Sequence, residues 1–370
     1  MMFDSGIDDP SRIIIFTTVQ NIQKLAASPM IFTDGTFKIV PRQFLQLMTV
    51  QGQYKGYCFP FAYVLSVNKD ENTYRTIYRE LKDFSARHHI RLQPEHIMSD
   101  FELANVNACQ EAFPEANKHC CLFHFEQSLW RNIVKFHLVG EYMIIASPVR
   151  KSLLAFMALP FVPLADIPEV FDLLYEAAPQ AVREFADYMD ETYVTGKPAT
   201  HRRPAFPPRY PPTLWCVYTL TLDGMQRTNN VVESYHSKNQ KMVKTHHLNI
   251  WKFLDYMKKD QHDTEQTCIQ LDNEHTRIRQ RRSNELSDAF DEFRNYPVPG
   301  IFEGHMLAMY NQIKGLCLDA GQSVAQECWN LRDRIYRGWP CSTQLPTRHQ
   351  LSLRSSMTIV GSRKTRSERR

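Results

Sequence analysis

The chain has 370 residues and a mass of 43.3 kDa, which is enough for one large domain or two of ordinary size. Hydrophobic residues make up 43% and charged residues 23%, and these values exclude collagen, coiled coil and disorder throughout. The net charge of +4 is concentrated at the C-terminal end. There, residues 348–370 contain seven basic residues and one acidic residue, so the rest of the chain is slightly acidic.

Nothing in the sequence predicts a membrane span or a secretory signal. The most apolar stretch, 153–167, contains two prolines and falls short of the roughly 20 residues that cross a bilayer. The first nine residues contain three acidic residues and no basic one, whereas a secretory signal begins with basic residues. The nine cysteines form no Cys-x-x-Cys pair, so we expect free thiols in a reducing compartment.

The hydrophobic pattern of the first part of the chain predicts strands that alternate with helices. Three closely spaced β-rich runs are typical of an antiparallel meander, and helical spacing begins after them. Short apolar runs then alternate with helices, which predicts a partly parallel sheet. The predicted strands lie near residues 13–16, 31–40, 44–50, 57–67, 97–98 and 120–123.

Three acidic residues are candidates for chemistry, and each also has a structural interpretation. Asp34 lies in an apolar run, but Asp followed by Gly also predicts a hairpin turn. Asp100 follows a predicted strand, where open α/β sheets bind ligands, but Ser99 and Glu102 have the spacing of a capping box around it. Glu233 lies on a predicted helix and has capping-box spacing with Asn230 as the cap.

Four strings of residues, taken in order, resemble the transposase domain of Mutator-like elements. The resemblance covers roughly residues 1–250 and follows the order Asp, Asp, Cys-x-x-His, Glu. The strings are Asp34-Gly35-Thr36-Phe37-Lys38 with Pro41, Phe44 and Gln46; Ser99-Asp100-Phe101-Glu102; Cys121-Leu122-Phe123-His124; and Thr228-Asn229-Asn230 with Glu233-Ser234-Tyr235-His236.

The resemblance implies an α/β fold with an RNase H-like mixed sheet, flanking helices and an all-helical insertion. It also implies a DDE triad of Asp34, Asp100 and Glu233 that holds Mg²⁺ (or Mn²⁺), with two ions expected. The activity would be cleavage of DNA at element ends and strand transfer to target DNA. The partners would be DNA and further copies of the chain, in the nucleus.

The same resemblance divides the chain into six predicted segments. They are a lead-in at 1–28, the first part of the catalytic core at 29–139, a helical insertion with a Pro-rich connector at 140–225, a core helix carrying Glu233 at 226–250, a C-terminal helical region at 251–339, and a basic tail at 340–370 that we expect to be disordered.

Cys121 and His124 form half of a zinc site, and His119 and Cys120 are possible further ligands. No second pair with finger-like spacing follows, so the sequence does not predict structural zinc. The resemblance makes the pair a signature near the active site, together with Asn230, and gives His236 a supporting role there.

Basic residues near Glu233 are candidates for DNA contact, because phosphate neutralisation requires lysine and arginine. The alternative is an ordinary solvated face. Relatives carry an N-terminal zinc-binding DNA-binding module, and no such module precedes the lead-in. Two alternatives to a transposase therefore stay open: a host-adopted or truncated DNA- or chromatin-binding protein without catalysis, and a plain nuclease. The candidate DNA contacts are Arg227, Lys238, Lys241 and Lys244.

Overall fold

A mixed β-sheet lies at the centre of the part of the chain that the structure describes. The structure is a computed structural model, and it describes residues 1–201, 203–243 and 248–273. Most of the predicted C-terminal helical region and the whole basic tail lie outside these residues. The strands are β1 (Phe3–Asp4), β2 (Ile13–Phe16), β3 (Met30–Thr36), β4 (Gln46–Tyr54), β5 (Tyr57–Ser66), β6 (His96–Ser99) and β7 (Asn117–Cys120).

The sheet combines antiparallel and parallel pairs in the order β1-β2-β5-β4-β3-β6-β7. Strands β3, β4 and β5 form the predicted antiparallel meander. Strand β6 pairs parallel to β3, and β7 pairs parallel to β6, so a helix must cross over between them. The prediction of a partly parallel α/β sheet is therefore confirmed.

Helices cover both faces of this sheet. The helices between strands are α1 (Val19–Ala26), α2 (Glu71–Arg87) and α3 (Leu103–Ala112), and α4 (Leu122–Lys135) follows β7. Short helices come next: α5 (Val139–Tyr142), α6 (Pro148–Met157), α7 (Ile167–Ala177), α8 (Arg183–Met189), α9 (Pro212–Trp215) and α10 (Tyr218–Leu222). The last described helices are α11 (Asn230–Val243) and α12 (Ile250–Asp272). None of the described helices is long and apolar enough to cross a membrane.

Alternation along β3 divides its side chains between two cores, because successive residues of a strand point to opposite faces. Met30 and Phe32 pack with α4 and the helices that follow it. Ile31 packs on the opposite face, against α1, α2 and α3. Asp34 is two residues beyond Phe32 and therefore shares the face that α4 covers.

Asp34 and Gly35 lie within β3, so the predicted hairpin turn is wrong. They pair with Thr49 and Met48 of β4, and the strand continues to Thr36. Gly35 has no positive φ; instead, a Cβ atom there would lie 2.9 Å from the Oε1 atom of Gln46. Glycine at this position therefore leaves room for the side chain of Gln46.

Helix α12 packs on the sheet face that also carries α11. Phe253 and Met257 are buried against residues of β2, β4 and β5. The hydroxyls of Tyr63 on β5 and Tyr235 on α11 each donate a hydrogen bond of 2.6 Å to Oδ2 of Asp260 on α12. This shared acceptor connects α11 to the sheet through α12.

Candidate active site

The two aspartates are brought together by the parallel pairing of β3 and β6. Phe32 pairs with Met98, and each is two residues before an aspartate. Asp34 and Asp100 therefore emerge on the same face of neighbouring strands, at the end where β6 stops. The Oδ1 atom of Asp100 accepts a hydrogen bond of 3.1 Å from the backbone N–H of Glu102, which fixes the turn that leaves the strand.

The capping-box interpretation of Asp100 is wrong. Ser99 is the last residue of β6, and its hydroxyl donates to the carbonyl oxygen of Asp100 over 3.0 Å. The residue that precedes α3 is Glu102, and its side chain makes no capping hydrogen bond. The carboxyl group of Glu102 instead accepts a hydrogen bond of 3.2 Å from the hydroxyl of Tyr74.

Glu233 reaches the site because the segment before α11 is held against β3 and α4. The backbone N–H of Leu122 donates to the carbonyl oxygen of Arg227 over 3.0 Å. Asn229 is fully buried, and its side-chain Nδ2 donates to the carbonyl oxygen of Thr33, the residue before Asp34, over 3.4 Å. The carbonyl oxygen of Asn229 accepts the N–H of Glu233 over 3.1 Å, so this residue starts the helix.

The sequence analysis quoted Asn229 within a motif but gave it no role, and the residue that precedes the helix is Asn229, where Asn230 was expected. Asn230 is the first residue of α11, and its Oδ1 atom is buried and accepts no hydrogen bond within the described part of the chain. The predicted capping box of Asn230 and Glu233 is therefore wrong. The Asn-Asn doublet was the only available signal, and it does not say which amide faces the sheet.

The pKa values show that the three carboxyl groups interact. Burial, together with the negative charges of Asp100 and Glu233, raises the pKa of Asp34 to about 8. Burial also raises the pKa of Glu233; the nearby His124 opposes that rise and Asp100 adds to it. Like charges that are buried together are offset by a bound proton or by a compensating cation.

This donor set fits a hard divalent cation. Magnesium prefers oxygen ligands and takes carboxylates alongside water and phosphate oxygens. The Oε1 atom of Glu233 is buried and has no hydrogen-bond partner among the described residues. Glu233 therefore offers an oxygen ligand that the described part of the protein leaves unpaired, whereas Asp34 and Asp100 each accept a backbone N–H at one oxygen.

His236 faces the first aspartate from one turn further along α11. Its Nε2 atom lies 3.5 Å from Oδ2 of Asp34. Burial lowers the pKa of His236 to about 4, whereas that of Asp34 is raised to about 8. Both groups are therefore neutral near pH 6, and the contact carries no charge pair in the metal-free protein.

Cys121 and His124 lie beside Glu233, at the start of α4. One ligand atom from each of the three residues falls within 4.8 Å of the other two. The Nε2 atom of His124 is 3.5 Å from Oε1 of Glu233. His119, a possible further ligand in the sequence, contacts His96 instead, with 3.0 Å between their ring nitrogens.

The basic residues near the site differ in exposure. Lys238 and Lys241 are exposed on α11, whereas Arg227 is half-buried, and burial lowers the pKa of its guanidinium. Lys244 lies outside the described residues. The exposed lysines have the accessibility that phosphate contact requires.

Part of the chain matches the model of a known protein family. Residues 30–128 match the model of the MULE transposase domain, which supports a transposase of the MULE family. The matched segment contains Asp34, Asp100, Cys121 and His124 and ends before Glu233. No curated protein matches the chain. The domain match suggests a transposase-type function and implies DNA as the partner.

Proposed function

We propose that this protein is a DDE-type DNA transposase with an RNase H-like catalytic core. The observation that carries the proposal is the strand register that sets Asp34 and Asp100 at the same end of neighbouring parallel strands, with Glu233 of α11 near enough for its charge to raise the pKa of Asp34. The sheet order supports the fold assignment, since an antiparallel meander is extended by parallel strands beside the strand of the first aspartate.

The three carboxylates would hold Mg²⁺ or Mn²⁺. Such ions supply activation of the attacking oxygen and stabilisation of charge on the leaving oxygen. Asp34 keeps its proton up to about pH 8 in the metal-free protein, so it must release that proton when it binds a cation. Asn229 would fix the position of Glu233, because it bonds both the helix start and the strand that carries Asp34.

The chemistry consists of two displacements at phosphorus. In the first, water attacks a phosphodiester at the element's end, a new P–O bond forms, and the bond to the 3′ oxygen breaks. In the second, the freed 3′-hydroxyl loses its proton and attacks a phosphodiester of the target DNA. A new P–O bond joins the two strands, the target's bond from phosphorus to its 3′ oxygen breaks, and that oxygen takes up a proton and leaves as a 3′-hydroxyl. Lys238 and Lys241 would bind the DNA backbone beside the site.

The proposal extends to assembly and location. Two element ends must be brought together before joining, so at least two copies of the chain would act on one element. The substrate is chromosomal DNA, so the protein would act in the nucleus. The basic residues after 347 would assist as a localisation signal or DNA arm.

Calorimetric titration of Mn²⁺ in the presence of short duplex DNA tests the proposal. We expect the wild-type chain to bind the ion and Asp100→Asn to lose binding while keeping its circular dichroism spectrum. Asp83→Asn, an exposed aspartate on α2, is the matched control and should bind as the wild type does. Nicking of supercoiled DNA by the wild type, lost in Asp100→Asn, would then establish cleavage.

Absence of ion binding by the wild-type chain would overturn the proposal. DNA binding that persists without metal binding would favour the non-catalytic, host-adopted alternative. Products that are cleaved but never joined would instead favour a nuclease.

A further inference from the structure

The starts of two helices face each other beside the carboxylates. Cys121 directly precedes α4, and His124 lies on the first turn of that helix. Glu233 lies on the first turn of α11. The hydrogen bond from Leu122 N–H to the carbonyl oxygen of Arg227 ties the two helix starts together. The sulfur of Cys121, the imidazole of His124 and the carboxylate of Glu233 are therefore held close to one another.

The distances are close to those of one small metal centre. Ligand atoms on a single tetrahedral Zn²⁺ lie about 3.3–3.6 Å apart, given bonds of about 2.0–2.3 Å. His124 Nε2 and Glu233 Oε1 are already 3.5 Å apart. The sulfur of Cys121 falls within 4.8 Å of both partners' ligand atoms, so a contraction of at most about 1.5 Å brings the three atoms to tetrahedral spacing.

One ligand oxygen in this group lacks the hydrogen bond that burial demands. Glu233 Oε1 is buried and has no hydrogen-bond partner within the described residues. The sulfur of Cys121 accepts a hydrogen bond of 3.1 Å from the N–H of Asn229. Outer hydrogen bonds of this kind orient and stabilise metal ligands.

The ligand types distinguish this group from the carboxylate site. Thiolate and imidazole select Zn²⁺ and related transition metals, whereas Mg²⁺ prefers oxygen. Three protein ligands leave a fourth position open, unlike the closed four-ligand sites of zinc fingers. This group shares Cys121 and His124 with the structural zinc site that the sequence analysis considered and did not predict, and it has Glu233 in place of His119 and Cys120.

We propose that Cys121, His124 and Glu233 bind one Zn²⁺ ion, and that this ion competes with Mg²⁺ for Glu233. The competition rests on the proposed function, because it assumes that Glu233 also serves the Asp34 and Asp100 site. The binding site itself stands on its own geometry. Zinc occupancy withdraws one carboxylate from catalysis and so inhibits DNA cleavage.

Cobalt(II) is the probe, because its bond to a thiolate gives a charge-transfer absorption. The full chain is stripped of metal with a chelator, dialysed and titrated with Co²⁺. We expect the thiolate absorption to rise with one equivalent and to disappear when Zn²⁺ is added. Cys121→Ser should lose it, and Cys120→Ser, the neighbouring buried cysteine, should keep it.

His124→Gln gives a second test, in case Cys121→Ser fails to fold. Loss of an outer hydrogen bond costs about 10–100-fold in metal affinity, so loss of a ligand should weaken Zn²⁺ binding at least that much. Equal Co²⁺ absorption in the wild type and Cys121→Ser, or unchanged Zn²⁺ affinity in His124→Gln, would overturn the proposal.

Asp100→Asn separates this inference from the proposed function. It should retain the thiolate absorption while losing Mn²⁺-dependent nicking. Thiolate absorption in a wild type that never cleaves DNA would leave the zinc site standing and remove the proposed function. Cleavage by a protein that shows no thiolate absorption would leave the proposed function standing and remove the zinc site. Cleavage that Zn²⁺ does not inhibit would remove the proposed competition of Zn²⁺ with Mg²⁺ for Glu233.

Discussion

The Nε2 atom of His236 lies 3.5 Å from the Oδ2 atom of Asp34, which joins helix α11 to strand β3 within the candidate active site. Burial lowers the pKa of His236 to about 4 and raises that of Asp34 to about 8. These opposite shifts keep both side chains neutral over the intervening pH range. Asp34 and His236 are therefore both buried and uncharged over this range. Asp34 becomes negative above it, and His236 becomes positive below it.

The stability of the metal-free protein should depend on pH through Asp34. The unfolded chain releases this proton near the ordinary value of 3.8, whereas the folded chain holds it to about pH 8. The folded state therefore binds more protons in this window, and the free energy of unfolding falls as pH rises. The slope for one group is at most about 1.4 kcal/mol per pH unit.

His236 acts in the opposite direction, but only between about pH 4 and its ordinary value of 6.5. Above about pH 6.5 this opposing contribution is absent, and two buried carboxyl groups whose pKa is raised to about 8, Asp34 and Glu126, lower the stability as pH rises to about 8. Urea unfolding in chelator should show falling stability across this range. Asp34→Asn should make the slope smaller by the contribution of one carboxyl group, and Asp83→Asn should leave it unchanged. An unchanged slope in Asp34→Asn would contradict the assignment of the raised pKa.

Asn229→Ala should disturb both stability and the position of Glu233. The substitution removes a buried donor and leaves the carbonyl oxygen of Thr33 without it, at a cost of about 1–3 kcal/mol. We expect a matching loss in the free energy of unfolding and weaker Mn²⁺ binding at a temperature where the variant is folded. Asn107→Ala, at an exposed position on α3, should change neither quantity. Normal ion binding by a folded Asn229→Ala would show that another contact positions Glu233.

Asp260→Ala should loosen the attachment of α11 to the sheet. The hydroxyls of Tyr63 and Tyr235 would both lose their acceptor, at about 1–3 kcal/mol for each buried hydroxyl left unpaired. Chemical denaturation measures the loss, and Asp255→Ala, an exposed aspartate on the same helix, is the control. Equal stability of the two variants would mean that the shared acceptor contributes nothing to this contact.

Lys238→Ala should weaken DNA binding and lower its salt dependence. Each phosphate contact contributes about 0.9 to the slope of log K against log salt concentration for duplex DNA. Fluorescence anisotropy at several salt concentrations should show a slope smaller by about this amount. Lys259→Ala, exposed on α12, should leave the slope unchanged. The same loss in both variants would indicate a general charge effect in place of a contact beside the site.

Local patterns in the sequence were sufficient for much of the fold. The meander of β3, β4 and β5 and the amphipathic helix α2 follow from periods of two and about 3.6 residues, which each segment carries in itself. The short apolar run that contains Ile97 and Met98 also predicted β6 correctly. The role of Asp34 was less certain, because Asp-Gly is compatible with a turn and with a strand.

Only the tertiary structure decided how the site is assembled. The pairing of Phe32 with Met98 sets Asp34 beside Asp100, and Asn229 fixes the start of the helix that carries Glu233. These residues are far apart in the chain, and no local period encodes which strand pairs with which or which amide faces the sheet. The sequence by itself determined the order and types of the acidic residues. Strand register and long-range hydrogen bonds determined that they meet, because burial and pairing energies depend on contacts between distant segments.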